Sequence, residues 1–159
     1  MQIDYNSDIL VSLVKKYKTF YNDFFKIEKN QQLLENNNFE ELFELWPNTC
    51  ASLCALFIYS HIPFLNHIRM LPNECFYGLP IVSIEIPQNI KGIMSGEHSG
   101  LSYGNTPGTN MFKKCNLLKH IMFNKTETEV FNMFDVTDED ELIRKLFGSD
   151  VGVGITYTR

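Results

Sequence analysis

The sequence predicts an α+β chain: an N-terminal helical unit over residues 1–62, then a β-rich unit over 63–159 that closes with a capping helix and strand, the two forming one compact body. Three observations predict it. Apolar residues recur at three- and four-residue steps as far as Ile62, β-branched alternation begins beyond Pro63, and a capped amphipathic segment followed by GVGITYTR ends the sequence. With 159 residues, 44% hydrophobic and 21% charged, the chain is long enough to bury about two thirds of its unfolded surface around one core.

The first helix runs from Ser7 to about Glu28. Ile9, Leu10, Leu13, Val14, Tyr17, Phe20, Tyr21, Phe24 and Phe25 make one broad face, Lys15, Lys16, Lys18, Asn22 and Asp23 fill the other, and Asn6 or Ser7 is the cap. A turn around Asn30 leads into a short QQLLEN helix. Asn38 then caps FEELFELW, which Pro47 ends because its ring blocks helix continuation. CASLCALFIYSHI is apolar nearly all round and so belongs at the centre. Beyond Pro63, IVSIEIP is a short strand stopped by Pro87, and LLKHIMF (Leu117 to Phe123) is a second. Thr137 precedes DEDELIRKLFG, whose acidic first turn, basic last turn and terminal Gly148 fit a capped helix aligned with its dipole. The acidic run Asp138 to Glu141 is thereby helix-start chemistry and not a carboxylate pair or calcium site. The last eight residues form the final strand.

A formal net charge of −5 disfavours broad capture of nucleic acid, which needs clustered Lys and Arg against phosphates. No window approaches about 18 uncharged apolar residues, and MQIDYNSD lacks a basic region followed by an apolar one. A cytoplasmic protein without membrane span or signal peptide is expected. Cys50, Cys54, Cys75 and Cys115 lie in apolar surroundings, and no C-x-x-C pair is present. Cys50 and Cys54 share a helix face, a spacing open to two metal ligands, but free cysteine packs as a small buried hydrophobe. Neither metal nor cofactor is expected.

Two stretches look like copies of one unit: LPNECFYGLPIVSIEIPQNIKGI, from Leu71 to Ile93, and NMFKKCNLLKHIMFNKTETEV, from Asn110 to Val130. Each has an aromatic anchor (Phe76, Phe112), a small polar or Cys turn, an apolar residue, and an I-x-I or I-x-F strand. At these residues the chain resembles the short leucine-rich repeats of the cysteine-containing bacterial surface-antigen type, whose unit runs A-F-x-x-C-x-x-L-x-x-I-x-I-P and then x-x-V-x-x-I. Ile81, Ile84, Ile86, Pro87, Ile90 and Ile93 match in the first unit; Phe112, Cys115, Leu118, Ile121 and Phe123 match in the second. The first unit is one residue short between Phe76 and Ile81, and Phe123-Asn124 stands where I-P belongs. The resemblance covers about Pro72 to Val130 and implies a stack in which each unit covers its neighbour's apolar face. Such a stack needs about three units and capped ends. The helical half would cap one end, and the Thr137 helix with the last strand the other. Helices leading into a few repeats are also similar to small bacteriophage proteins, which implies a viral protein in the host cytoplasm.

In the repeat frame the next anchor should follow Ile93 within a few residues, but Phe112 comes nineteen positions later. The insertion, 94–110, contains Gly-Leu-Ser-Tyr-Gly at 100–104, which fits G-x-S-x-G, with His98 four residues before Ser102. A nucleophile elbow needs a helix directly after its serine, and Tyr-Gly-Asn-Thr-Pro-Gly cannot start one there. No histidine follows His120, while Asp135, Asp138 and Asp150 all lie beyond it, so the triad order fails too. No Lys serves a phosphate loop, Glu97 and His98 point apart in extended chain, and His67 and His120 sit in or beside apolar runs, as packed histidines do. A long aromatic-bearing loop on a rigid scaffold suits recognition. Met94, His98, Leu101, Tyr103 and Asn105 are the residues expected to anchor a partner. The expected function is a non-enzymatic protein-binding module, in the phage setting an inhibitor of a host or anti-phage defence protein. A small hydrolase using Ser102 and His98, and a self-assembling protein that pairs sheet edges as a homo-oligomer, are the alternatives.

Overall fold

A computed structural model describes residues 2–3, 8–46, 49–72, 74–94 and 110–158. The first helix, α1, spans Asp8–Phe24, and α2 follows at Glu28–Glu35. The break therefore falls at residues 25–27, ahead of Asn30 and not at it. Asn30 is buried inside α2, where its amide donates to the Phe24 carbonyl at 2.9 Å and its side-chain oxygen accepts from the Trp46 indole at 2.8 Å. Those two partners outweigh the turn preference that its residue type suggests. Asn37, at φ 58°, ends α2, with Asn38 N–H donating to Leu33 O at 2.8 Å and Asn37 N–H to Leu34 O at 3.2 Å. Helix α3 (Phe39–Leu45) starts after Asn38 as predicted, although the Asn38 side chain makes no capping bond. Helix α4 (Cys50–Tyr59) is buried on several sides, as its uniform apolarity requires. Phe39, Phe43, Phe57 and the buried Phe64 meet at ring distances of 5.2 to 6.3 Å, largely edge-on or tilted.

Strands β1 (Gln2–Ile3), β3 (Ile81–Ile86), β5 (His120–Phe123) and β6 (Gly154–Tyr157) form one sheet in the order β1-β3-β5-β6. β1 joins antiparallel, and β3, β5 and β6 are parallel. A second, two-stranded parallel sheet pairs β2 (Met70–Leu71) with β4 (Gly92–Ile93). The register sets Ile84, Ile121 and Ile155 in one inner row and Ile86, Phe123 and Tyr157 in the next. Behind them Phe76 and Phe112 stack at 5.2 Å and 6° between planes, and Phe112 meets Phe147 at 5.9 Å. Backbone bonds from Gly78 N–H to Lys113 O (2.9 Å) and from Phe112 N–H to Leu146 O (2.8 Å) tie the turns together. The C-terminal helix and strand predicted as a cap are present, and the strand closes this end of the ladder as its third turn.

The second strand is shorter than its predicted range, because Leu118 N–H bonds Cys115 O at 3.2 Å in a turn and pairing with β6 starts at His120. Helix α5 (Glu127–Phe134) was not expected at all. Thr126 caps it by accepting from Glu129 N–H at 3.2 Å while the Glu129 carboxylate accepts from Thr126 N–H at 3.1 Å. Helix α6 (Glu139–Phe147) is capped by Asp138, one residue beyond Thr137, and Gly148 closes it at φ 76°. The apolar core runs without a break from Phe24 and Leu33 to Leu146, so the helical and β-rich units share it. No helix among the described residues is long and apolar enough to cross a membrane.

Candidate functional site

The inner rows of the parallel ladder leave their alternate positions on the outer face: Ser83 and Glu85 on β3, His120 and Met122 on β5, Gly154 and Thr156 on β6. All are half-buried or exposed. His120 Nε2 lies 3.0 Å from the Thr156 hydroxyl across the strands. Asn124, just past β5, donates its amide to the Glu85 carboxylate.

At Glu85 this face runs into a groove of about 470 Å³ between the helices and the sheet. Phe57, Ile58 and Phe64 give it a buried apolar floor, while His61, Asn66, Glu85 and Asn124 are its polar lining. Local chemistry builds each wall. Helix α4 stops because His61 adopts φ 57°, with Ile62 N–H reaching Phe57 O at 2.8 Å and His61 N–H reaching Ile58 O at 3.2 Å. The chain then turns through the 3-10 segment Phe64–His67. Asn89, in the turn after β3, donates its amide to both Leu65 O and Ile68 O at 2.8 Å, so the groove's helical wall is fixed to the sheet. Behind the turn, the ammonium of buried Lys125 donates to Gln88 O at 3.1 Å; burial and then the charge of Lys91 hold its pKa below the ordinary lysine range.

Among the predicted contact residues, Met94 is 6% exposed and its N–H bonds Leu71 O at 2.8 Å. It is core packing at the end of the second sheet, a correction to its assignment as a partner anchor. His98, Leu101, Tyr103 and Asn105, with Ser102, lie outside the described residues. The described residues on either side of this stretch are Met94 and Asn110, and Asn110 N–H bonds Lys145 O at 2.7 Å.

The four cysteines are buried and form no disulfide, and Cys115 donates its thiol to Phe76 O at 2.9 Å. Burial pushes Cys115 up to about 12 despite backbone N–H groups at Leu79 and Gly78 that favour its thiolate. Burial likewise raises Cys50 and Cys54, the latter also through the neighbouring Cys75 thiol. Neutral thiols packed as apolar groups follow. Among the described residues no three His, Cys, Asp or Glu side chains converge as a metal site.

The outer-face residues were missed although the alternation I-V-S-I-E-I and H-I-M-F marks Ser83, Glu85, His120 and Met122 as solvent-facing. The groove carries no such signal, because His61, Asn66 and Asn124 meet only through tertiary packing. Comparisons with family models, curated proteins and solved structures find no match to this chain.

Proposed function

We propose that this chain is a protein-binding module without catalysis of its own, built on a short leucine-rich-repeat-like stack that receives an extended segment of a partner protein. The observation that carries this is the continuity of groove and outer sheet face through Glu85 and Asn124. The groove supplies a pocket for an apolar side chain, and the face supplies scattered polar groups and Met122, a mixture suited to peptide recognition. Glu85 is the charged group of the groove lining, and on a chain of net charge −5 it favours a basic residue in the partner segment. Loop 94–110 adds a second contact region, with Tyr103 its aromatic anchor. In the phage setting the partner is a host or defence protein.

Glu85→Lys tests this in capture from a bacterial host lysate followed by mass spectrometry. The wild type should retain a discrete partner, and the variant, folded by circular dichroism, should lose it by about tenfold or more, the scale of one reversed charge contact. Equal capture by both proteins would exclude the groove. If instead a hydrolytic activity is found that Ser102→Ala abolishes while capture persists, the chain is an enzyme.

A further inference from the structure

Charge in and around the groove is unevenly arranged. Its lining carries one carboxylate, Glu85, and no lysine or arginine among the described residues. Glu85 is exposed on β3 and forms no ion pair among those residues. The lysines that follow Glu85 and Asn124 in the chain are committed elsewhere: Lys125 is 5% exposed and donates to Gln88 O at 3.1 Å, and Lys91 donates to the same oxygen at 3.4 Å. An uncompensated negative charge therefore stands in the same lining as the buried rings of Phe57 and Phe64.

Hydrogen-bond chemistry selects among the cations that could answer this charge. A carboxylate only accepts, so the Asn124 amide turns its nitrogen to Glu85 Oε1 and keeps its own oxygen as a further acceptor. Neither that Oδ1 nor Glu85 Oε2 receives a hydrogen bond from the described residues. Two linked acceptors are thus open to donors from outside. An ammonium meets them as a compact, strongly hydrated charge that must shed water beside an apolar floor. A guanidinium is planar and more weakly hydrated, brings five N–H donors to share between both acceptors, and lays its flat faces on apolar groups. Ile62, Pro63 and Pro87 in the lining give its methylene stem apolar surface to lie on.

We infer that the groove receives an arginine side chain of the partner segment, with its guanidinium bonded to Glu85 and Asn124 and its stem on the apolar lining. This rests on the groove being the place of partner capture, and it narrows the basic residue expected there to arginine. Glu85 supplies the charge, and Asn124, held to it, supplies the second acceptor that a single carboxylate would lack.

Titration of the whole chain with Nα-benzoyl-L-arginine amide and with its lysine counterpart, followed by heteronuclear NMR, tests it. The arginine amide should shift the side-chain NH2 signals of Asn124 and bind about tenfold more tightly than the lysine amide, or better. Glu85→Gln should abolish that preference with unchanged circular dichroism. Nα-benzoyl-L-arginine with a free carboxylate, which meets no lysine or arginine in the lining, should bind less tightly than the amide. Equal affinity for the two amides, a preference that survives Glu85→Gln, or tighter binding of the free acid, which would make the occupant a free amino acid, would each overturn the proposal. The two failures separate: equal affinity with capture still lost by Glu85→Lys removes arginine and leaves the groove, whereas capture that Glu85→Lys does not touch removes the groove and the arginine with it.

Discussion

Asn30 shows how much one residue decides. Its amide and carbonyl bond Phe24 O and the half-buried Trp46 indole, so Asn30→Leu removes both bonds, leaving Phe24 O with the longer bond from Ile27 N–H (3.4 Å) and the indole without this acceptor. A loss of about 2–4 kcal/mol is expected, from two unmade hydrogen bonds at about 1–2 kcal/mol each. Trp46 is the chain's single tryptophan and packs on Phe24 at 5.1 Å, so its fluorescence reports the transition directly in urea. An unchanged midpoint would mean that water replaces both contacts. The same residue marks a limit of the sequence. An asparagine between polar neighbours reads as a turn, since its partner at Trp46 is sixteen positions away. Glu85, His120 and Met122 were different, for their solvent-facing parity follows from strand alternation alone.

At the scale of elements, the helices were legible down to the short α2, α3 and α6, with the one exception of the capped α5. Helices α1, α4 and α6 and strand β3 announce themselves by period or composition, whereas α5 was absorbed into the tail of the second repeat unit. Its signature was present as Thr126 and Glu129, three residues apart before an apolar run. Thr126→Ala should lower stability by about 1 kcal/mol in chemical denaturation. The caps also carry a pH dependence. Glu129 and Glu141 are held below the ordinary carboxylate range, first by the N–H groups of Thr126 and Thr137 and next by their hydroxyls. A depressed folded value means that the stabilisation is complete above the unfolded pKa of about 4.3 and is lost as pH falls through the lower folded values. Denaturation midpoints compared at neutral pH and near pH 3 should therefore fall less in Glu129→Gln/Glu141→Gln than in the wild type. Equal falls would remove the two caps from the acid response.

At the scale of the whole molecule, the parallel ladder of β3 and β5 continues into β6, a third turn that the sequence disguised. Phe147 and Ile155 sit in the rows begun by Phe76 and Ile84, but the two helices between the turns interrupt any fixed repeat length. The interruption after Met94 is of another kind. The bonds that hold the flanking turns, Met94 to Leu71 on one side and Asn110 to Lys145 on the other, are made by the stack itself. Replacing residues 95–109 with a Gly-Ser linker of about half that length should therefore preserve the fold, and the shorter loop adds at most about 0.6 kcal/mol by reducing closure entropy. That corresponds to a melting temperature within about 2 °C of the wild type. A drop beyond about 10 °C would show that the insertion belongs to the core. With the fold preserved, capture divides the two contact regions: partner lost by the linker variant but kept by Glu85→Lys places recognition in the loop, the reverse places it in the groove, and loss in both describes one partner spanning them.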